Sequence, residues 1–318
     1  MLKGYLHALN WVVLVGFFNV FFRFFPQFDA HPIIVICQSM LFAGITLIAL
    51  AGKGKLITDA IKTPHTWCYG ICYLASTAIF VYALNYITAT QMSLLGKFVV
   101  IGGFILSAMI FKRNISTAGW FWLSFILGGI FMTSLELELE TLAIVFFLVI
   151  VFSGFEVFQM MVSDIHSSSN KAKSSVKSTM RVTGVVLMVT GMMALGLCLI
   201  GLLGMTVMGI KDGFLPGADD FLNPWSMLLA SIYGILGLTF IRYSEFVSTR
   251  TIKFEVFLAA SALVSLTTYL FELTFAHYGL LEMRDLTTME ICGALLIMLG
   301  SANAVVIKAR ESRKETIK

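Results

Sequence analysis

The stretch "GKFVVIGG" (residues 96–103) sets one lysine into an apolar run, and "IKFEVFLA" (residues 252–259) repeats its Lys-Phe-x-Val core. Small residues follow in both, Gly102 and Gly103 in the first, Ala259, Ala260 and Ser261 in the second. A weaker echo relates "GFFNVF" (16–21) to "SGFEVF" (153–158). The first pair falls on the fourth and ninth apolar segments of the chain and the second on the first and sixth. Both therefore imply the same offset of five segments. Five is odd, so if each segment crosses a membrane, the second copy inserts upside down relative to the first. Inverted repeats of this kind build secondary transporters, with the substrate site near the bilayer midplane between the halves.

Composition supports a membrane setting. The 318 residues are 58% hydrophobic and only 13% charged, with mean hydropathy +0.90, against about 25% charged residues in ordinary soluble domains. Apolar runs of about 20 residues, each able to span a hydrocarbon core of ~30 Å, recur along the length. The first run continues through "FFNVFFRFF" without a small-residue cleavage site, so a retained first membrane helix is expected rather than a signal peptide. Ten helices are expected, over residues 4–25, 32–51, 66–86, 90–111, 118–134, 141–163, 181–204, 224–241, 251–277 and 287–308. The expected fold is an all-α polytopic membrane protein of two inverted five-helix repeats, residues 1–135 and 136–318. The second repeat carries a polar loop over 164–180 and a basic C-terminal tail.

The basic residues test this drawing, because lysine and arginine accumulate on the cytoplasmic side of membrane proteins. With the N-terminus in the cytoplasm, 17 of the 22 fall on that side and three (Arg23, Lys211 and Arg284) on the other; Lys97 and Lys253 lie within helices. The outer loops carry "ELELE" (136–140) and "GADD" (217–220) instead. The reading is an integral protein of a cell (inner) membrane with both termini cytoplasmic.

Residues 83–132, "ALNYITATQMSLLGKFVVIGGFILSAMIFKRNISTAGWFWLSFILGGIFM", combine a short turn into a small-residue fourth helix, a basic turn and a glycine-bearing fifth helix. In these features they resemble the EamA-like branch of the drug/metabolite transporter superfamily. "MRDLTTMEICGALLIMLGSANAV" (283–305) resembles the end of the second repeat, including the spacing of Gly293 and Gly300, and "VGFFNVFFRFF" (15–25) is a looser match to the opening of the first. The chain departs from the pattern at Gln38, where many members carry arginine, at Val256, where a proline usually follows the glutamate, and in the long region 272–284. The resemblance implies ten helices, alternating access, and helices five and ten at the periphery, where a homodimer contact would form. In relatives that carry phosphorylated sugars or nucleotide-sugars, lysines on helices four and nine face the phosphate, and Lys97 and Lys253 fall on those helices.

A bare ammonium deep in a bilayer costs roughly 3 kcal/mol on insertion scales. Lys97 lies about 7 residues inside its helix, roughly 10 Å deep. Two lysines converging on one cavity call for an anion, either a substrate phosphate or carboxylate or a protein carboxylate. In the second case Lys97 pairs with Glu156 or Glu255 and Lys253 snorkels to the surface. Glu156 and Glu255 are candidates for a coupling group or a counter-ion. Tyr69, Tyr73, Ser76 and Phe80 share one helical stripe, and Tyr82 and Tyr86 a second turn. Such stripes line a cavity or pack helices together. Asn10, Asn19 and Gln38 either contact substrate or bond a neighbouring helix. The substrate-binding candidates are Lys97, Lys253, Tyr73, Asn19, Gln38 and Tyr86.

The five cysteines read as small buried hydrophobes. No metal set, phosphate loop or catalytic triad is present, so neither an enzyme nor a cofactor is expected. The expected partners are a small-molecule substrate and membrane lipids, not nucleic acid. The leading reading is a secondary-active transporter of a small polar metabolite by alternating access, an organic anion such as a phosphorylated metabolite being the favoured cargo. The alternative is an exporter of amino acids, amines or drug-like amphipathic compounds, with the lysines held in salt bridges.

Overall fold

A computed structural model describes residues 2–54, 56–113, 115–172, 175–208, 215–281 and 286–317, apart from the side chains of Pro26, Met208 and 309–317. Among these residues the secondary structure is entirely helical. Ten helices are long and apolar enough to cross a membrane: α1 Leu2–Phe25, α2 Pro32–Ala51, α3 Pro64–Ala83, α4 Ala89–Phe111, α5 Thr117–Ser134, α6 Leu139–Lys171, α7 Val176–Val207, α8 Pro224–Ile252, α9 Phe254–His277 and α10 Thr288–Lys308. Proline opens α2, α3 and α8, where its missing N–H removes no helical bond. α4 opens on a capping box, in which Thr88 and Gln91 each bond the other's backbone N–H. We call the end of the bundle where α1 begins the N-side and the opposite end the far side.

The helices pair in a pattern that is unchanged when each is exchanged for the one five places along. α1 packs on α8 and α9 as α6 packs on α3 and α4, while α2 packs on α7 and α5 on α10. The α5–α10 pair is a backbone contact through glycine. A Cβ built on Gly293 would lie 2.6 Å from Thr133 Oγ1 and 2.7 Å from the Gly129 carbonyl.

α4 and α9 are both interrupted, each after a seven-residue first segment, Ala89–Leu95 and Phe254–Ala260. The bonding at the two breaks is the same. Lys97 N–H donates to Leu94 O and Val99 N–H to Gly96 O; in α9, Ala262 N–H donates to Ala259 O and Val264 N–H to Ser261 O. These are tight i to i+3 turns between two α-helical segments. The structural counterpart of Lys97 is therefore Ala262. Lys253 stands one residue before α9, as Thr88 stands before α4. The Lys-Phe-x-Val echo points to the right pair of helices in the wrong register.

Three expected boundaries change. α8 does not stop at 241 but continues to Ile252, so Arg242 lies inside the membrane span. Lys253 instead occupies the exposed turn between α8 and α9, with φ 74°. Exchanging these two residues leaves the basic tally at 17 against three. The long ninth helix is two segments. Most of the expected loop 164–180 is helical, because α6 continues to Lys171 past a break at His166. Several of its polar groups bond within the protein: His166 Nδ1 accepts from Ser169 N–H, His166 Nε2 pairs with Thr66 Oγ1 at 3.1 Å, and Arg250 donates to Ser169 O. Lys173 and Ser174 of that loop, and 282–284 of the extended region 272–284, lie outside the described residues.

Candidate functional site

The pairing of α1, α3, α4, α6, α8 and α9 leaves a cavity of about 450 Å³ between the halves. Arg23, Leu84, Asn85 and Ala89, at the far-side ends of their helices, form its rim, and Tyr73, Glu156 and Arg242 lie at its floor. Its walls are largely aromatic and aliphatic, with Trp11, Phe80, Phe152 and Tyr233 prominent.

Lys97 enters this cavity at the break in α4 and is 7% exposed. Its ammonium donates to Ser261 O at 3.0 Å. The lysine of one interrupted helix thus bonds a carbonyl at the interruption of the other. Alongside, Ser93 Oγ and Ser265 Oγ pair at 2.9 Å, and Ser265 Oγ lies 3.2 Å from Ser93 O. The burial of Lys97 is offset by this bond, but an ammonium has three N–H donors. Among the described residues no carboxylate lies within 4 Å of it. Glu156 shares the cavity floor, close enough to Lys97, Arg242 and Ser76 to interact with them electrostatically, yet is in ion-pair contact with neither cation.

Arg242 is the second intramembrane cation. Its guanidinium lies 3.9 Å from the centre of the Tyr73 ring and is ion-paired with Glu245. Tyr69 O–H donates to Glu245 Oε1 at 2.8 Å and accepts from Gln159 Nε2 at 3.1 Å. Glu245 is completely buried, and Arg242 Nε is buried without a hydrogen-bond partner among the described residues.

Arg242 reaches the cavity because α8 contains a six-residue π segment, Tyr233–Leu238. Tyr233 and Arg242 are nine residues apart, which on a pure α-helix is about 180°, on opposite faces. A π turn absorbs one extra residue, which cuts the separation to about 80°, and both residues line the cavity. Gly234 permits this packing: a Cβ there would lie 2.6 Å from Ser39 O on α2.

The N-side is shut by polar contacts. Arg113, beyond the end of α4, donates to both oxygens of Glu255 in the first turn of α9, at 2.8 and 2.7 Å, and approaches Asp164 of α6 at 3.9 Å. Ser163 Oγ lies 3.0 Å from Thr249 Oγ1 deeper in the same region. At the far-side rim Glu272 pairs with Arg23 at 3.2 Å and accepts from Thr90 Oγ1 at 2.6 Å.

Of the residues singled out from sequence, Lys97, Asn19, Tyr73 and Glu156 meet in the cavity. Asn19 also lies 3.4 Å from Thr268 Oγ1. Lys253 is exposed at the N-side turn, and Glu255 is clamped by Arg113 at the same end. Tyr86 is exposed and pairs with Tyr82 through their hydroxyls at 3.0 Å. Gln38 lies on α2 away from the lining, its Oε1 buried without a hydrogen-bond partner among the described residues. Arg242 and Glu245 were not singled out. Their signal was the i, i+3 spacing of opposite charges, which fits one buried helical face.

The EamA-like transporter family model matches residues 2–135. No curated protein matches the chain. Twenty-seven chains of solved structures match it. One crystal structure, described only as that of a protein, aligns over 97% of this chain and 98% of its own with TM-score 0.59 and 15% identity.

Proposed function

We propose, on the premise of the match between residues 2–135 and the EamA-like transporter family, that the chain moves a small amphipathic organic anion by alternating access. The observation that carries this reading is Lys97, a buried ammonium that lines the cavity with no carboxylate within 4 Å among the described residues. A carboxylate, sulfonate or phosphate head would take its remaining donors, and the walls of Trp11, Phe80, Phe152 and Tyr233 suit an apolar body. Phosphorylated metabolites fit the same head-group chemistry. The basic-residue bias makes the N-side cytoplasmic. On that assignment the cavity faces outward and Arg113 with Glu255 closes the cytoplasmic side. Rocking of the halves about the breaks in α4 and α9 would exchange the two openings.

The second reading, an exporter of amino acids or amines, is favoured by Glu156, which offers an ammonium group a partner in the same cavity. Competition for uptake into proteoliposomes separates the two. Organic anions should compete and simple amines should not, while competition by amines alone would reverse the assignment. Lys97→Met should reduce anion uptake by at least tenfold, and Lys97→Arg should restore part of it. Full uptake by Lys97→Met removes the anion site.

A further inference from the structure

The cavity floor is a closed set of charges. α4 contributes Lys97, α6 Glu156 and α8 Arg242, with Glu245 behind Arg242 on the same helix. α3 adds Tyr69 and Tyr73 and α8 adds Tyr233, all neutral phenols. α1 brings Arg23 only at the rim, where Glu272 of α9 pairs with it, and no other lining residue from α9 is charged. The floor therefore holds two cations and two carboxylates and is neutral when empty. A monoanion bound at Lys97 leaves it one negative charge in excess, in a region enclosed by apolar walls where uncompensated charge is expensive. The two carboxylates differ in how firmly they are held. Glu245 is completely buried, paired with Arg242 and bonded by Tyr69. Among the described residues Glu156 has no ion-pair contact, and it is half-buried against the cavity.

We propose that the carrier binds a monoanion together with one proton, that Glu156 holds the proton, and that Glu245 is the fixed counter-ion of Arg242. This rests on the anion reading above and specifies its energy source: an electroneutral proton–anion pair, driven by a pH gradient and indifferent to membrane potential. A zwitterion adds no net charge and would bind without a proton.

Benzenesulfonate is a suitable probe because it is a permanent monoanion with an aromatic body; phenylalanine is the zwitterionic control. Calorimetry on the purified protein in buffers of different ionisation enthalpy, between pH 7 and 9, counts protons taken up on binding. The expected result is close to one proton per benzenesulfonate where Glu156 is ionised beforehand, with affinity falling about tenfold per pH unit there. Glu156→Gln should bind the probe with pH-independent affinity and no proton uptake. Phenylalanine, if bound, should take up none. Binding of benzenesulfonate without proton uptake across this range overturns the coupling and leaves the anion site standing. Uptake that persists in Glu156→Gln overturns the role of Glu156. If wild type fails to bind the sulfonate while binding phenylalanine, the anion reading fails and the coupling with it.

Discussion

Glutamine in place of Glu255 should open the N-side. Arg113 makes two short bonds to this carboxylate, which is 1% exposed, while Arg113 itself is 24% exposed. Removing one partner of a fully buried ion pair costs about 3–5 kcal/mol. With the arginine partly in water the cost falls to about 2 kcal/mol. If the pair exists only when the N-side is closed, the whole of that cost acts on the equilibrium between closed and open forms. The open population then rises about 30-fold. The assay uses a chain with its five native cysteines replaced and a single Ser163→Cys, a position with no exposure beside Thr249. A membrane-impermeant maleimide applied from the N-side should label it about 30-fold faster in the Glu255→Gln background. Arg113→Gln should act in the same direction, and the double variant should add little to either, because both remove one interaction. An unchanged labelling rate, at wild-type melting temperature, would show that the pair does not hold the N-side closed.

Three further expectations come from the packing. Deleting Ile235 from the π segment should restore continuous α geometry and turn Arg242 by about 100° away from the cavity; transport should be lost while circular dichroism retains its helical amplitude. Gly293→Leu should force α5 and α10 apart and lower stability by about 1–3 kcal/mol, read as a fall in melting temperature. Lys253→Gln should leave anion affinity within about twofold, because the side chain is exposed at the N-side turn and exposed charges far from a site are screened by salt. A tenfold loss in Kd would return Lys253 to the site.

The ten spans were legible because lipid imposes length and apolarity on each helix, and the bias of basic residues marked their alternation. The extent of α8 was not. The run "IRYSEFVSTR" (241–250) looks like a loop on hydropathy, which prices every polar side chain as though it faced lipid. Here those side chains face protein: Ser244 bonds Asn10, Ser248 bonds the Gly4 carbonyl, and Arg242 pairs with Glu245. The same blindness hid Arg242 and placed Lys253 in its stead. Lys97, Tyr73, Asn19 and Glu156 could be found because each is a polar group inside an otherwise apolar span, expensive there unless it serves a purpose. Tyr86 failed the same logic because the turn after α3 begins before it, and Glu255 because a first-turn acid at a helix end already has a structural use.

Neither interruption contains a proline; the five prolines of the chain lie elsewhere. Proline would write a bend into the covalent structure, since it removes an N–H and clashes with the preceding turn. At Gly96 and Lys97, and at Ser261 and Ala262, every residue keeps its donor. The interruption in α9 is held in part by a lysine 164 positions away in sequence. A joint made of contacts lasts only while the contacts do, so either helix retains the means to straighten without rupture of its own backbone.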